Sequence, residues 1–475
     1  MTKNDTLKYI INSNDEISFD PIYSDIYSHN LYMSALVGTL VKRGTSGRYL
    51  PYLAQEWSTS DFKTWRFVIR DSIFTENNEL ITAKGFKKSL ETVIKIYHAI
   101  RPSLPIIEEI VGFSEYLKGE QSNISGITFE NNVLIIVFQK PINSGVLEFL
   151  SMPYYGYYNQ DNFKDGKWAN GLKIFSSSSH KIESVDIKNK SLILNKRSNW
   201  FSLDVDAVEK ILILQTNLSE SFLMPGPKII ATNGVIDNDQ IKSLNYSVVV
   251  GAPEMLVALQ LNISSGFFSS NDNRSFFLKK LRIAQESIKL KGEGLIFSKF
   301  FYPFYQTKIE EKNEALSKYI KLTDQINAFI PQSVSAKRPE YLKSLINTAM
   351  ENSSVNINFI ESQPVNKSEL NKIDIRLKFV SIGGGFQHWL TKMMFCSDLG
   401  ISFSDPENGI CNLVEKYDGL NWNINEFAKE FNQTLFDQAA IIPIFHNSHK
   451  WIVDGVDVEL SPISLIPRFD LMKLK

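Results

Sequence analysis

The stretch that decides the fold is LAQEWSTSDFKTWRFVIR, residues 53–70. From Trp57 onward it predicts a hairpin, because an aspartate-containing turn at 61–63 separates two arms of strand character. The second arm alternates polar and apolar residues, and its apolar face consists of Trp65, Phe67 and Ile69.

Helices and further hairpins are predicted on both sides of this stretch. Asn131-Asn132 and Lys188-Asn189-Lys190 each have the composition of a hairpin turn. Upstream, 8–12 predicts a strand and 32–41 a helix. Thr82 predicts the N-cap of a helix with an apolar stripe made of Ala83, Phe86, Leu90, Val93, Ile94 and Tyr97.

The second half of the chain alternates short strands with helices. Residues 248–250 and 259–263 are interpreted as two separate short strands. The other predicted elements are strands at 211–214, 228–231, 324–330 and 355–361, and helices at 276–288, 341–351, 386–394 and 424–436. Early hairpins and late strand–helix alternation together predict a mixed α/β protein.

The composition is that of an ordinary globular protein of 475 residues. Lys and Arg number 51 and Asp and Glu 52, so the net charge is -1 and we expect no nucleic-acid partner. No apolar run approaches the ~20 residues of a membrane-spanning helix. The N-terminal apolar patch is too short for a signal peptide, so we expect either a cytoplasmic protein or a mature sequence with an added start methionine.

The sequence offers little catalytic or metal-binding chemistry. His446 and His449 have the spacing of a metal pair, but no third ligand lies nearby, and two surface histidines are the simpler interpretation. The glycines at 383–385 lack the Gly-Lys-Ser/Thr ending of a phosphate loop. Two cysteines cannot make a disulfide framework, and Cys396 is interpreted as a small buried apolar residue. We therefore expect neither an enzyme nor a bound metal or cofactor.

Two clusters of tyrosines are candidates for the wall of a ligand cleft, because tyrosine combines apolar area with a hydrogen-bonding tip. The first follows Pro21 and contains Tyr23, Tyr27 and Tyr32. The second follows Pro153 and contains Tyr154, Tyr155, Tyr157 and Tyr158. Internal packing is the alternative role for each of them, and the sequence leaves both open.

The pattern in 53–70 resembles the signature of the family 5 extracellular solute-binding proteins, the oligopeptide, dipeptide and nickel receptors of ABC importers. The matching residues are Leu53-Ala54, Trp57, Asp61, Arg70 and the helix start Thr82-Ala83. The same family order continues through Asp20-Pro21, 195–201, 259–262, Asp405-Pro406-Glu407-Asn408, Asp437-Gln438-Ala439 and Ile442-Pro443-Ile444.

The resemblance implies a bilobed α/β clamp of the periplasmic-binding-protein type, with mixed sheets and an inserted small α/β domain. Lobe one would consist of 1–38, 151–247 and 447–475, the inserted domain of 39–150, and lobe two of 248–446. The implied function is a monomeric receptor, periplasmic or at the cell surface, that passes a small-molecule or peptide ligand to an ABC transporter permease. The alternative is a ligand sensor or regulator with the same fold, which could be cytoplasmic.

Ligand contacts are expected from Tyr23, Tyr27, Asp398, Leu399, Gly400, Ser402 and Asp405, the last five by the resemblance. Peptide receptors of the family hold the ligand's α-amino group with an aspartate four residues before the loop proline, where this chain has Ser402. Serine supplies no charge, so we expect weak or no binding of ordinary peptides unless Asp398 or Asp405 reaches the same place. Two other departures indicate a divergent member, namely Gly85 in place of an aspartate and 177–180 in place of Thr-Gly-Pro-Tyr. The serines at 176–179 are interpreted as a polar turn.

Overall fold

The computed structural model places most of the chain. The residues that it describes are 6–11, 16–23, 27–43, 49–98, 105–142, 145–165, 167–169, 171, 173–201, 208–216, 218–232, 241, 246–264, 266–288, 295–297, 301, 325–331, 338–351, 353–361, 367–381, 391, 394–396, 409–417, 423–457 and 473–474.

The strands in chain order are β1 (Thr6–Ile11), β2 (Val41–Arg43), β3 (Tyr49–Pro51), β4 (Ala54–Ser58), β5 (Thr64–Ile69), β6 (Ile127–Glu130), β7 (Val133–Val137), β8 (Phe163–Lys164), β9 (Lys167–Trp168), β10 (His180–Asp186), β11 (Ser191–Lys196), β12 (Lys210–Gln215), β13 (Lys228–Thr232), β14 (Ser247–Leu261), β15 (Leu295–Phe297), β16 (Gln325–Phe329), β17 (Asn356–Ile360), β18 (Ile375–Ser381), β19 (Ile441–Asp454), β20 (Val456–Asp457) and β21 (Lys473–Leu474).

The α-helices are α1 (Tyr27–Leu36), α2 (Ala83–Tyr97), α3 (Pro105–Glu108), α4 (Phe113–Leu117), α5 (Val146–Phe149), α6 (Leu218–Leu223), α7 (Asn271–Ser287), α8 (Arg338–Met350), α9 (Lys367–Asn371), α10 (Gly409–Lys416) and α11 (Ile424–Gln438). Short 3-10 helices lie at Pro21–Tyr23, Pro153–Tyr155, Gln160–Asn162 and Phe267–Ser269. None of the helices in the described part of the chain is long and apolar enough to cross a membrane.

The largest sheet has the strand order β10-β11-β12-β1-β13-β19-β14-β18-β16-β17, and β15 pairs with the first part of β19. On one side, β12, β1 and β13 run parallel to one another. On the other side, β18, β16 and β17 form a second parallel group. Between the two groups lie β19 and β14, which are antiparallel to each other, so the sheet is mixed.

The two central strands, β14 and β19, are 15 and 14 residues long and pass from one parallel group to the other. Their pairing register shifts between Val250 and Pro253 and again between Pro253 and Met255, and a further shift lies between Val257 and Ala258. A proline has no N–H to give to a ladder, which weakens the pairing locally. The prediction of two separate strands at 248–250 and 259–263 is wrong, because pairing with β19 resumes beyond this irregularity and makes one strand.

The apolar cores lie on either side of this irregularity. One large cluster includes Tyr9, Phe67 and Trp451, and further clusters include Leu259 and Phe431. Among the described residues, no cluster of buried apolar side chains has members on both sides of the irregular stretch at 250–255. The sheet is therefore continuous, but the apolar cores before and after this stretch are separate.

The hairpin predicted after Trp57 is confirmed as β4 and β5, in which Trp57 lies opposite Phe67. Its turn is stabilised by the Asp61 carboxylate, which accepts the N–H groups of Thr64 at 2.7 Å and Lys63 at 2.9 Å. These hydrogen bonds hold the pKa of Asp61 below its ordinary value. The hairpin belongs to a second, antiparallel sheet with the order β4-β5-β7-β6.

The helix predicted after Thr82 is confirmed as α2, which packs on the second sheet. Thr82 has an extended backbone and its Oγ1 accepts the N–H of Gly85 at 3.0 Å, as an N-cap does. The predicted apolar stripe is buried, with each of its six members at most 3% exposed.

The helix predicted at 32–41 lies earlier, at Tyr27–Leu36. Its end is followed by Gly38, which donates its N–H to Ser177 Oγ at 2.9 Å and accepts the N–H of Tyr157 at 2.7 Å. A Cβ at Gly38 would lie 2.3 Å from the carbonyl oxygen of Ser177, so only glycine fits this approach of two backbones.

A run of buried polar residues, 176–180, joins the second sheet to the main one. Each of them is at most 1% exposed, so the serines that were interpreted as a polar turn lie in the interior. Ser178 Oγ lies 2.7 Å from Tyr52 Oη, which also accepts the indole N–H of Trp200 at 3.0 Å. Arg197 donates to the Ser178 carbonyl at 2.9 Å. The serines are buried because they satisfy backbone and side-chain groups that would otherwise lack partners.

Gly85, at the position where the family has an aspartate, lies against the Tyr157 ring. A Cβ on Gly85 would be 2.7 Å from Tyr157 Oη. Tyr157 is 2% exposed and donates its hydroxyl to the Glu79 carboxylate at 2.9 Å, so the ring cannot move away without losing that bond. Burial and then the Glu79 charge raise the pKa of Tyr157. The tyrosine fills the space that a side chain at 85 would need.

The structure corrects two interpretations of single residues. Cys396 is exposed and forms a disulfide with Cys411, with 5.6 Å between the Cα atoms, so it is not a buried apolar residue. His446 is fully buried on β19 and not at the surface. Its Nε2 donates to the Phe301 carbonyl at 3.1 Å, and burial lowers its pKa from 6.5 to about 4.

Acid should destabilise the fold through His446. The unfolded state takes up a proton near pH 6.5 and the folded state only near pH 4, so the contribution of His446 is complete above 6.5 and lost as the pH falls toward 4. The expected loss across that window is about 2–3 kcal/mol. Urea unfolding at a series of pH values measures it.

His446→Gln, which keeps a donor for the Phe301 carbonyl, should remove this part of the pH dependence. His98→Gln, at the partly exposed C-cap of α2, is the matched control and should leave it intact. A His446→Gln profile that falls as steeply as that of the unchanged protein would contradict the assignment.

Gly85→Ala should destabilise the protein by about 1–3 kcal/mol through overpacking against Tyr157. Helix propensity alone predicts the opposite sign, a gain of about 1 kcal/mol. The cost should shrink in a Tyr157→Phe background, which removes the nearest atom, while the exposed control Lys84→Ala should have little effect. Chemical denaturation of the four variants decides between overpacking and propensity.

Candidate functional site

The carboxyl ends of the two parallel groups point toward each other. β13 runs in the same direction as β14, whereas β18 and β16 run opposite to it. The strands β13 and β18 therefore both end at the stretch where the pairing of β14 with β19 is irregular, residues 250–255 and 447–450, which we call the hinge zone. Ligands of open α/β sheets bind at the carboxyl ends of strands, so the hinge zone is the candidate site.

The carboxyl ends of the strands are Ile11, Gln215 and Thr232 in the first group and Phe329, Ile360 and Ser381 in the second. Ser381 is level with Met255, and Phe329 and Ile360 are level with Gln260. Gln215 is 6% exposed, and neither its amide nitrogen nor its amide oxygen has a hydrogen-bond partner among the described residues. An unsatisfied buried amide is costly, so its presence at this edge is typical of a functional position rather than of a core.

A buried lysine lies within the hinge zone. Lys450 is 2% exposed and stands in register between Val250 on β14 and Thr232 on β13. Burial also lowers the pKa values of Arg376 and Lys378, and for Lys378 the charge of Arg376 adds to the effect. These two residues pair with Gln260 and Ala258 on β14, so they lie outside the hinge zone.

The predicted site residues are only partly placed. Tyr23 lies in a 3-10 helix and is 46% exposed, with its ring 5.9 Å from that of His29. Tyr27 is the first residue of α1, and only its backbone is described. The other five, Asp398, Leu399, Gly400, Ser402 and Asp405, lie outside the described residues, and their role stays a prediction.

The second tyrosine cluster serves packing. Tyr154, Tyr155, Tyr157 and Tyr158 are all between 1% and 6% exposed within the largest apolar cluster. The Tyr158 hydroxyl donates to the carbonyl of Pro153 at 2.8 Å, and the rings of Tyr154 and Tyr155 meet edge to face at 4.6 Å. Of the two roles that the sequence left open for these residues, the structure shows the internal one.

Sequence reasoning missed Gln215 and Lys450. Gln215 ends the run KILILQ, and Lys450 follows the histidine of a β-strand. A polar residue at the carboxyl end of an apolar strand was the available signal for Gln215, whereas nothing local distinguishes Lys450. Within the described part of the chain, no three His, Cys, Asp or Glu residues come together as a metal site would require.

Comparison with known proteins gives structural matches only. No family sequence model matches the chain, and no curated protein matches it in sequence. The periplasmic murein tripeptide binding protein MppA, in its unliganded open form, matches with a TM-score of 0.78 at 13% identity, over 100% of this chain and 98% of that chain.

Two further structures match over nearly the whole length. NikA from Brucella suis, in complex with Fe(III)-EDTA, has a TM-score of 0.74 at 13% identity, over 98% of this chain and 100% of that chain. OppA from Haemophilus influenzae, in complex with RPPGFSPFR, has a TM-score of 0.70 at 14% identity, over 99% of both chains. The expected fold, a bilobed clamp like that of periplasmic binding proteins, is confirmed.

Proposed function

We propose that this protein is a solute-binding receptor that captures a ligand between two lobes and delivers it to the permease of an ABC importer. The observation that carries the proposal is that the carboxyl ends of β13 and β18, which run in opposite directions, meet at the hinge zone. The full-length likeness to binding proteins such as MppA and OppA supports it. The protein would act as a monomer, in the periplasm or at the cell surface, and not as an enzyme.

Lobe one would comprise 1–38, 151–247 and 447–475, with 39–150 inserted as a small domain, and lobe two would comprise 248–446. The separate apolar cores on the two sides of the sheet support a two-lobe division. The register shift within β14 favours a boundary a few residues inside that strand, near 250–255.

Ligand binding would close the lobes by bending at the hinge zone. Regular ladders resist bending because every residue is hydrogen-bonded to its neighbour strand, whereas the pairing of β14 with β19 is interrupted around Pro253. Bending at a few residues of two linking strands is the usual way in which two-lobed binding proteins close. The ligand would then touch the carboxyl edges of both lobes.

The ligand would lack a free cationic amine at the end that peptide receptors hold. Ser402 replaces the aspartate that such receptors use. A compound without a free amine, or a blocked peptide, would fit a serine at this place better than an ordinary peptide.

Gently purified protein should carry a ligand that native mass spectrometry detects as an added mass, lost on denaturation. Returning the recovered ligand should stabilise the protein by about 2.7 kcal/mol at a hundredfold excess over Kd, because only the folded form binds it. Lys450→Met should reduce the occupied fraction, and the exposed control Lys181→Met should not. Equal occupancy of the two variants would show that Lys450 does not contribute to ligand binding.

Ordinary di- and tripeptides should bind weakly or not at all in calorimetric titrations, and Ser402→Asp should improve their binding by restoring a partner for the α-amine. Micromolar binding of unblocked peptides to the unchanged protein, lost on N-acetylation, would contradict this. If Asp405→Asn then abolished that binding and Ser402→Ala did not, Asp405 would be the amine partner.

A further inference from the structure

The disulfide between Cys396 and Cys411 links two residues that are 15 positions apart in the sequence, on the β18 side of the sheet. Both cysteines are held next to one apolar cluster, whose members beside them are Met394, Phe395, Ile410 and Val414. The attachment of the two ends to the same cluster does not depend on the S–S bond. The bond can therefore open without separating the segments that carry the cysteines.

The two sulfurs differ in ways that matter for thiol–disulfide exchange. Cys396 is exposed, so an incoming thiol can reach it. Cys411 is partly buried and is the third residue of α10, within the first turn of that helix. The positive end of the helix dipole stabilises a thiolate in the first turn, and a thiol with a lowered pKa leaves a disulfide faster.

We propose that this disulfide is an exchange site with a fixed direction, attacked at Cys396 and released at Cys411. In the first step, a thiolate of an external dithiol attacks Cys396 Sγ, the bond between the two cysteines breaks, and Cys411 leaves as a thiolate that then takes up a proton. In the second step, the other thiolate of the dithiol attacks the mixed disulfide and releases Cys396, which is protonated in turn.

Two electrons and two protons thus pass to the protein, and the dithiol becomes a disulfide. Formation is the reverse, with a disulfide-bearing oxidant that is reduced to two thiols. In an oxidising compartment the bond stays closed, and in a thiol-rich one it opens. The site couples the stability of this side of the molecule to the redox state of its surroundings, because the cross-link restricts the unfolded chain.

The direction is tested by brief treatment of the oxidised protein with glutathione, an acid quench, and peptide mapping of the mixed disulfide. The glutathione adduct is expected on Cys396 at more than tenfold excess over Cys411. An adduct mainly on Cys411, or equal amounts on both, overturns the direction. Iodoacetamide must modify neither cysteine before reduction and both after it; free thiols in protein purified under oxidising conditions overturn the disulfide itself.

The stability effect is tested by thermal unfolding with and without a dithiol. Opening the bond should lower the melting temperature of the unchanged protein by about 3 °C. The double variant Cys396→Ser, Cys411→Ser should melt at that lower temperature with or without the dithiol, which controls for direct effects of the reagent. An unchanged melting temperature of the native protein on full reduction overturns the proposed coupling. None of these measurements depends on ligand binding.

Discussion

The structure depends on the pairing of two long strands, β14 and β19, through the middle of the sheet. Because β14 continues from one parallel group to the other, β13 runs parallel to it and β18 antiparallel to it. This arrangement makes the carboxyl ends of β13 and of β18 face the same place. The register shifts around Pro253 lie there too, so an irregular stretch of pairing coincides with the point at which ligands of such sheets bind.

Local signals predicted much of the first half of the chain. Asp61 hydrogen-bonds its own turn and Thr82 caps its own helix, so the hairpin and α2 follow from short-range chemistry. β14 was predicted as two short strands, and the strand whose pairing makes it one lies almost 200 positions away in the sequence. The burial of His446 and the partner of Cys396 also depend on distant contacts, which no local pattern reports.

Some departures from the family pattern have a structural explanation, and others rest on the sequence alone. Gly85 is explained by the Tyr157 ring, and the serine run at 176–180 by the buried groups it satisfies. Ser402 and its neighbours lie outside the described residues, so the absence of a charge for a ligand amine is an argument from the sequence. Gln215 and Lys450 were identified from the structure instead. Gln215 is a buried polar residue at the edge of the first parallel group, and Lys450 is a buried polar residue within the hinge zone.

The central claim is that the two sides of the sheet are lobes that close on a ligand by bending at the hinge zone. Small-angle X-ray scattering of the same preparation, first stripped of its co-purified ligand and then saturated with it, measures this directly. If the lobes close on the ligand, the saturated protein should have a smaller radius of gyration than the stripped one. An unchanged radius at demonstrated full occupancy would contradict closure about β14 and β19.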